Sequence, residues 1–495
     1  MNPKGDMTPS PLAPSWLTLP ADPADLTPAD APALFPAGAA RDERGRLSLG
    51  GVPVTELAAR FGTPLYVVDE AELRSRAAAF KRAFDDAFAE LCGGADVYYA
   101  GKVLLNTSVA RWVHEEGLRI DTASGGELAV ALAAGIPAAD IGLHGNNKSD
   151  AEIERALTLG LGRIIADSLD EVDRIAARAA ELDTTADVML RLTPGVHAST
   201  HEYIATAHED QKFGLSMQAR AGQERSDAAE AVRRALTSEH IHLLGLHCHI
   251  GSQIFESAGF AEAARRLIGF LGDVRREHGV QLPELDLGGG YGIAYTQADS
   301  PSTPQALAGE IAAVVAEACE QAGIDVPRIS IEPGRAIAGP AGVTLYSVGV
   351  QKDVEVDAED TTALRRYVAV DGGMSDNARP VLYDAEYSVT LASRAPTGEQ
   401  VLARVVGKHC ESGDIVVKHA YLPADLRRGD VLAVPATGAY CWSLASNYNY
   451  LPRPAIVAVK DGHAEVIVRG EDESDLLRRD VGVPAPSGHG EGTPE

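Results

Sequence analysis

The chain reads as an α/β protein: a (β/α)8 barrel followed by an antiparallel β-domain that also takes a strand from before the barrel. Three observations predict this. Between Val97 and Arg335, eight short apolar runs each end in glycine or in polar, reactive side chains. Helix-length amphipathic stretches separate the runs, the alternation that parallel strands covered by helices require. Beyond about residue 341 the pattern turns to short alternating strands punctuated by turn signals such as Asp371-Gly372-Gly373 and Asp461-Gly462.

Taken in order, residues 1–45 are rich in Pro, Ala and Asp with little periodicity, the composition of a mobile arm. From 46 to 69 the pattern becomes structured. Leu57-Ala58-Ala59-Arg60-Phe61-Gly62 reads as a short helix closed by glycine, and Pro64-Leu65-Tyr66-Val67-Val68 as a strand. The barrel is assigned to 70–341, with strand runs at 97–100, 118–121, 141–144, 163–167, 188–192, 243–250, 285–290 and 329–332. Helical patterns at 124–134, 149–159, 169–182 and 260–277 lie between them. Barrels of this TIM type build their sites at the carboxyl ends of the strands. Those ends carry Lys102, Asp121, His144, Asp167, Arg191, His249, Gly288-Gly289-Gly290 and Glu332-Pro333-Gly334-Arg335. The β-domain is assigned to 46–69 together with 342–475, leaving 476–495 as a flexible tail.

At 495 residues and 45% hydrophobic, the chain is long enough to bury a large core. A net charge of −27 excludes nucleic acid as a natural partner, since a phosphate backbone calls for a basic face. No apolar stretch approaches the roughly 20 residues needed to cross a bilayer. The cysteines (Cys92, Cys248, Cys319, Cys410, Cys441) are odd in number and show no Cys-x-x-Cys spacing, and no secretory signal pattern is present. A reducing, cytoplasmic setting is expected.

The strand ends point to a particular chemistry. Only nine of the 44 basic residues are lysines, so Lys102 at a strand end stands out; a lysine there can lose its proton and form a Schiff base with a carbonyl. The Gly288-Gly289-Gly290 run lets backbone amides approach an anion without a Cβ in the way. Glu332 ends the last strand, where such barrels often hold phosphate. An acid there suits a cation or a ring nitrogen, so the two loops together suggest a phosphorylated cofactor with a basic heterocycle, pyridoxal 5'-phosphate (PLP). His247-Cys248-His249 does not read as a metal cluster, because in a strand the cysteine faces away from both histidines, and no metal is expected. His249 could instead stack on an aromatic cofactor, and Ser252 bind phosphate.

These segments also carry a resemblance. Tyr99-Ala100-Gly101-Lys102, Asp121-Thr122-Ala123-Ser124-Gly125-Gly126-Glu127, His144-Gly145-Asn146-Asn147-Lys148-Ser149, His249-Ile250-Gly251-Ser252-Gln253, Gly288-Gly289-Gly290-Tyr291 and Glu332-Pro333-Gly334-Arg335 occur in the order found in the fold-type III PLP-dependent decarboxylases. Asp371-Gly372-Gly373-Met374-Ser375-Asp376-Asn377, Arg379-Pro380-Val381-Leu382-Tyr383, Cys410-Glu411-Ser412-Gly413-Asp414 and Gly438-Ala439-Tyr440 resemble the branch of that family that decarboxylates meso-diaminopimelate to L-lysine. The similarity spans roughly 52–468. It implies that Lys102 holds PLP covalently, that Glu332 pairs with the ring nitrogen, that His249 stacks on the ring and that Asp121 lies near the Schiff base. Phosphate would fall to Ser252, the turn including Gly290, the Pro333-Gly334 backbone with Arg335, and Tyr440. The substrate's distal carboxylate would be gripped by Arg335, Arg379 and Tyr383, with Tyr440 close by, and its distal ammonium read by Glu411. Cys410 is implied as a proton donor, alongside Lys102. The family further implies a homodimer in which Cys410 and Glu411 enter the partner subunit's site.

Rival readings differ in what they leave idle. Ornithine and arginine have no distal carboxylate, which would strand Arg379 beside Tyr383. An alanine racemase of this fold places an arginine, not Glu332, at the ring nitrogen. A non-catalytic relative would lack the cofactor lysine or the phosphate contacts that Lys102, the glycine run and Tyr440 supply. Thr206-Ala207 and Gln211 depart from the common pattern in the loop after the fifth strand.

Overall fold

A computed structural model of the chain describes residues 9–19, 31, 33–195, 211–358, 361–397 and 399–483; Thr206 and Ala207 lie outside them. Eight parallel strands form the barrel: β1 (Ala95–Ala100), β2 (Arg119–Thr122), β3 (Ile141–Leu143), β4 (Arg163–Ala166), β5 (Ala186–Thr193), β6 (Ile241–His247), β7 (Glu284–Asp286) and β8 (Arg328–Ile331). Each pairs with the next, and β8 closes on β1 with Ile329 opposite Ala95. Pure parallel pairing demands a crossover between every two strands, and the helices expected from the periodicity supply several of them: Gly125–Ala133, Asp150–Leu159, Leu169–Glu181 and Ala258–His278. Local signals set their ends. Ser149 and Glu152 form a reciprocal capping box at the start of Asp150–Leu159, and Gly160 ends that helix in the left-handed conformation.

The second domain is built on a sheet whose strand order is Ile415–Pro423, Gln400–Val406, Thr361–Val370, Gly342–Ala358, Leu65–Asp69, Ile456–Lys460 and His463–Val468. Leu65–Asp69 does join it, as expected, pairing antiparallel with Gly342–Ala358. The domain is not purely antiparallel, however. Leu65–Asp69 runs parallel to Ile456–Lys460, and Thr361–Val370 parallel to Gln400–Val406. Both pairs are joined by long connections, one of them the whole barrel, so a hairpin geometry is not imposed on them.

The expectation of a mobile arm over 1–45 does not hold for its described residues 33–45. Leu34 and Phe35 are 1% exposed and sit in a second core with Leu47, Leu49, Leu57, Val343 and Val459. Ala40–Arg41 pairs with Leu47–Leu49. Burying two such side chains contributes roughly 2–3 kcal/mol each, enough to hold a segment whose composition otherwise favours disorder. Further upstream, the Ser10 amide donates to the Tyr421 hydroxyl at 3.0 Å, drawing residues 9–19 against the β-domain.

Candidate active site

The barrel mouth and the β-domain enclose a cavity of about 940 Å³, whose wall includes Lys102, His249, Ser252, Arg335, Arg379, Tyr383 and Tyr440. These come from both domains and from distant parts of the chain. Lys102 lies in a single turn, Gly101–Val103, immediately after β1. A Cβ on Gly101 would stand 2.8 Å from the Asp121 carbonyl, so glycine lets the turn close against β2. The turn is clasped from the β-domain by the Tyr440 amide, which donates to the Val103 carbonyl at 2.8 Å. Tyr440 holds φ at +67°, a conformation that costs a non-glycine residue roughly 1 kcal/mol or more and tends to be kept where function needs it.

Arg335 and Arg379 share one aromatic wall. Arg335 donates to the Tyr295 hydroxyl at 2.5 Å and to Ser252 Oγ at 2.8 Å, and its guanidinium lies 4.7 Å from the Tyr440 ring. Arg379 donates to the Tyr387 hydroxyl at 2.7 Å and lies 4.6 Å over the Tyr295 ring. Tyr295 therefore sits between two buried guanidinium groups and orients both. Neither tyrosine was named as a site residue from the sequence, since neither stands at the carboxyl end of a barrel strand or in a recognised motif.

The glycine run makes a close-packed corner beside this wall. A Cβ on Gly288 would meet the Cys248 carbonyl at 2.2 Å, on Gly289 the Glu332 carbonyl at 2.2 Å, and on Gly290 the Gly251 carbonyl at 2.5 Å. The Gly289 amide donates to His249 Nδ1 at 3.2 Å, which fixes the ring in the cavity wall. Burial first, and then the Lys102 charge, push the His249 imidazole well below its ordinary range, so it is neutral there. Gly334 packs against Val103 and Ala100, bringing the Pro333-Gly334-Arg335 backbone beside the lysine turn.

Not every expected residue lines the cavity. Asp121 and Glu332 are buried behind it in a charged cluster with His144, Arg163, His247 and Asp286. His247, at the end of β6, turns to this cluster while His249, beyond the strand, faces the cavity. Burial raises the Glu332 carboxyl and Asp286 raises it further, against the opposing pull of His144. Its Oε1 has no aligned hydrogen-bond partner despite being buried. Cys410 and Glu411 are exposed and stand outside the wall of this cavity. The loop that carries them is held by Asp414, which accepts from the amides of His409 and Met374, and by Asn449, which accepts from the Cys410 amide at 3.0 Å. Trp16, from the upstream segment, lines the cavity as well, and nothing in the composition around it signalled that place.

The residues present suit PLP. Lys102 offers an amine in the cavity, and Ser252, Arg335, the glycine corner and Tyr440 cluster as donors for a phosphate. Glu332 adds a buried carboxyl directly behind the cavity wall, the kind of group that pairs with a protonated ring nitrogen.

Residues 70–339 match the family described as "Pyridoxal-dependent decarboxylase, pyridoxal binding domain". The chain is 50% identical over 455 residues to the diaminopimelate decarboxylase of Mycobacterium tuberculosis, spanning 91% of this chain and 98% of that one. To the Bacillus subtilis diaminopimelate decarboxylase it is 43% identical over 441 residues, 89% of this chain and 96% of the relative. Among solved structures, diaminopimelate decarboxylase from M. jannaschii in co-complex with L-lysine superposes with a TM-score of 0.81 at 31% identity, covering 91% of this chain and 99% of that one. The Helicobacter pylori diaminopimelate decarboxylase complexed with L-lysine gives 0.74 at 30% identity, covering 86% and 98%.

Proposed function

The chain belongs to the pyridoxal-dependent decarboxylase family, and from that premise we propose that it removes CO2 from meso-2,6-diaminopimelate to give L-lysine, the last step of bacterial lysine synthesis. The observation that carries this reading is that one cavity joins Lys102 and the phosphate donors to Arg379 and Tyr383. A decarboxylase for diaminopimelate needs both a cofactor lysine and a second carboxylate grip.

PLP, when bound, supplies an aldehyde to take the substrate amine and a ring to accept the electron pair left as CO2 departs. Lys102 would hold the cofactor through its Nζ. Ser252, Arg335, the Gly288-Gly290 corner, the Pro333-Gly334 backbone and Tyr440 would hold its phosphate, and His249 would pack on its ring. Glu332 would keep the ring nitrogen protonated, which deepens the electron sink. Asp121 acts from behind the cavity, through the cluster it shares with Glu332. Arg379 and Arg335 grip the distal carboxylate, with Tyr383 and Tyr440 beside them, because a planar guanidinium matches a carboxylate in two hydrogen bonds.

The proton that replaces CO2 on the α-carbon comes from Lys102 or from Cys410. Cys410 and Glu411 serve the partner subunit's cavity in a homodimer, Glu411 meeting the distal ammonium. Support for that assembly comes from the surface around them: Val381, Leu382, Tyr383, Tyr448 and Tyr450 are all exposed. Val381 packs beside Gly413, and Tyr448 beside His409, so this apolar patch flanks the Cys410–Glu411 loop. A cytoplasmic location fits such an enzyme; among the described residues no helix is long and apolar enough to cross a membrane.

The test is product analysis. With added PLP, meso-diaminopimelate should yield CO2 and L-lysine in equal amounts, and ornithine should be turned over far more slowly. Equal turnover of ornithine would overturn the substrate assignment.

A further inference from the structure

Behind the cavity, nitrogen groups from the start of β4, the residue after β3 and the end of β6 converge on a single oxygen of Glu332. Oε1 lies 3.0 Å from His247 Nε2, 3.3 Å from His144 Nε2 and 3.7 Å from Arg163 Nη2. Arg163 is 1% exposed, its guanidinium lies 3.4 Å from the Tyr98 ring centroid, and it donates to Ser330 Oγ at 3.0 Å. It also stands 2.7 Å from Asp286 and 3.5 Å from Asp121, while His144 Nε2 is 3.1 Å from Asp121. The two imidazoles meet edge to face, with centroids 5.1 Å apart.

This arrangement answers a difficulty in the chemistry. To pair with a protonated ring nitrogen, Glu332 must be ionised, yet it is buried beside two other acids, Asp121 and Asp286, with one fixed positive charge, Arg163, among them. Burial and Asp286 favour its neutral form. A neutral carboxylic acid would offer its own hydrogen to the ring instead of accepting one. Groups that stabilise the anion are therefore required, and three nitrogens stand within 3.7 Å of Oε1, close enough for ion pairing though not aligned as hydrogen bonds.

We propose that His144 and His247, steadied by Arg163, are positioning residues for Glu332: they hold Oε1 from behind, leaving Oε2 for the ring nitrogen and keeping the proton on that nitrogen. The inference rests on the pairing of Glu332 with the ring proposed above. Burial holds His247 down to about 3, so it adds no charge, and its Nε2, 3.0 Å from Oε1, is placed to offer an N–H. The ligand atoms of His144, His247 and Glu332 all fall within 4.8 Å of one another, a spacing that a metal ion also uses. The guanidinium 3.7 Å from the shared oxygen repels a second cation, which favours the donor role.

The test reads the ring nitrogen directly. Holoenzyme is reconstituted with PLP carrying 15N in the ring, and the nitrogen shift distinguishes pyridinium from neutral pyridine. The wild-type protein should show pyridinium. His247→Leu and His144→Leu should each move the signal toward pyridine, while His247→Asn, which keeps an N–H, should restore it. If both leucine variants retain native far-UV circular dichroism and the wild-type shift, the proposal is overturned; if only one folds, that one decides. Glu332→Gln separates the two layers of the argument. Should Glu332→Gln leave the nitrogen protonated, the pairing itself fails; should it move the signal while neither histidine variant does, only the positioning role fails.

Discussion

Replacing Arg379 by lysine keeps a positive charge but removes the planar fork, and its cost can be worked out from the site. Arg379 is 6% exposed, so solvent screens it little, and its guanidinium is already oriented by the Tyr387 hydroxyl and the Tyr295 ring. Two charge-assisted hydrogen bonds to the distal carboxylate become at best one. A hydrogen bond to a charged group contributes about 1.5–3 kcal/mol, which corresponds to roughly a 10- to 150-fold loss in kcat/KM. The distal carboxylate of diaminopimelate is the one L-lysine retains, so Arg379→Lys should weaken lysine binding by a similar factor. Cadaverine lacks that carboxylate, and its binding should change little. Steady-state kinetics with meso-diaminopimelate, together with competition by lysine and cadaverine, make the assay. Equal weakening of lysine and cadaverine, or an unchanged kcat/KM, would refute the assignment of Arg379 to the distal carboxylate.

Three further outcomes are expected. Mixing inactive Lys102→Ala and Glu411→Ala subunits should restore part of the activity, because a hybrid dimer keeps one complete site; no recovery in subunits shown to exchange would contradict the shared site. Deleting residues 1–19 removes Trp16 from the cavity wall and should raise KM several-fold with kcat little changed, the pattern of lost uniform binding. His247, fully buried and held down to about 3 from an ordinary 6.5, is neutral when folded and takes a proton when unfolded. Its share of stability is complete above pH 6.5 and falls by about 1 kcal/mol per unit as the pH drops below that, a slope that denaturant titrations should find reduced in His247→Asn.

The barrel was legible because parallel strands buried on both faces leave short apolar runs with reactive ends, and Lys102, His249, Ser252 and Arg335 were found by standing at those ends. The charged cluster was not legible in the same way. Arg163, His144 and His247 lie in or just after three different strands, and only closure of the barrel brings them onto Glu332. Composition misled at the amino terminus, where Pro and Ala concealed Leu34, Phe35 and Trp16, single side chains too widely spaced to form a periodic signal. The two parallel pairs in the β-domain escaped too, since alternating strands look the same whichever way they pair.

The measurement that bears most directly on the whole account is borohydride reduction of the PLP-loaded protein followed by peptide mapping. The cofactor should be fixed on Lys102 alone, and Lys102→Ala should trap none. Recovery of the label on another lysine of the wild-type protein, or undiminished trapping by Lys102→Ala, would contradict it.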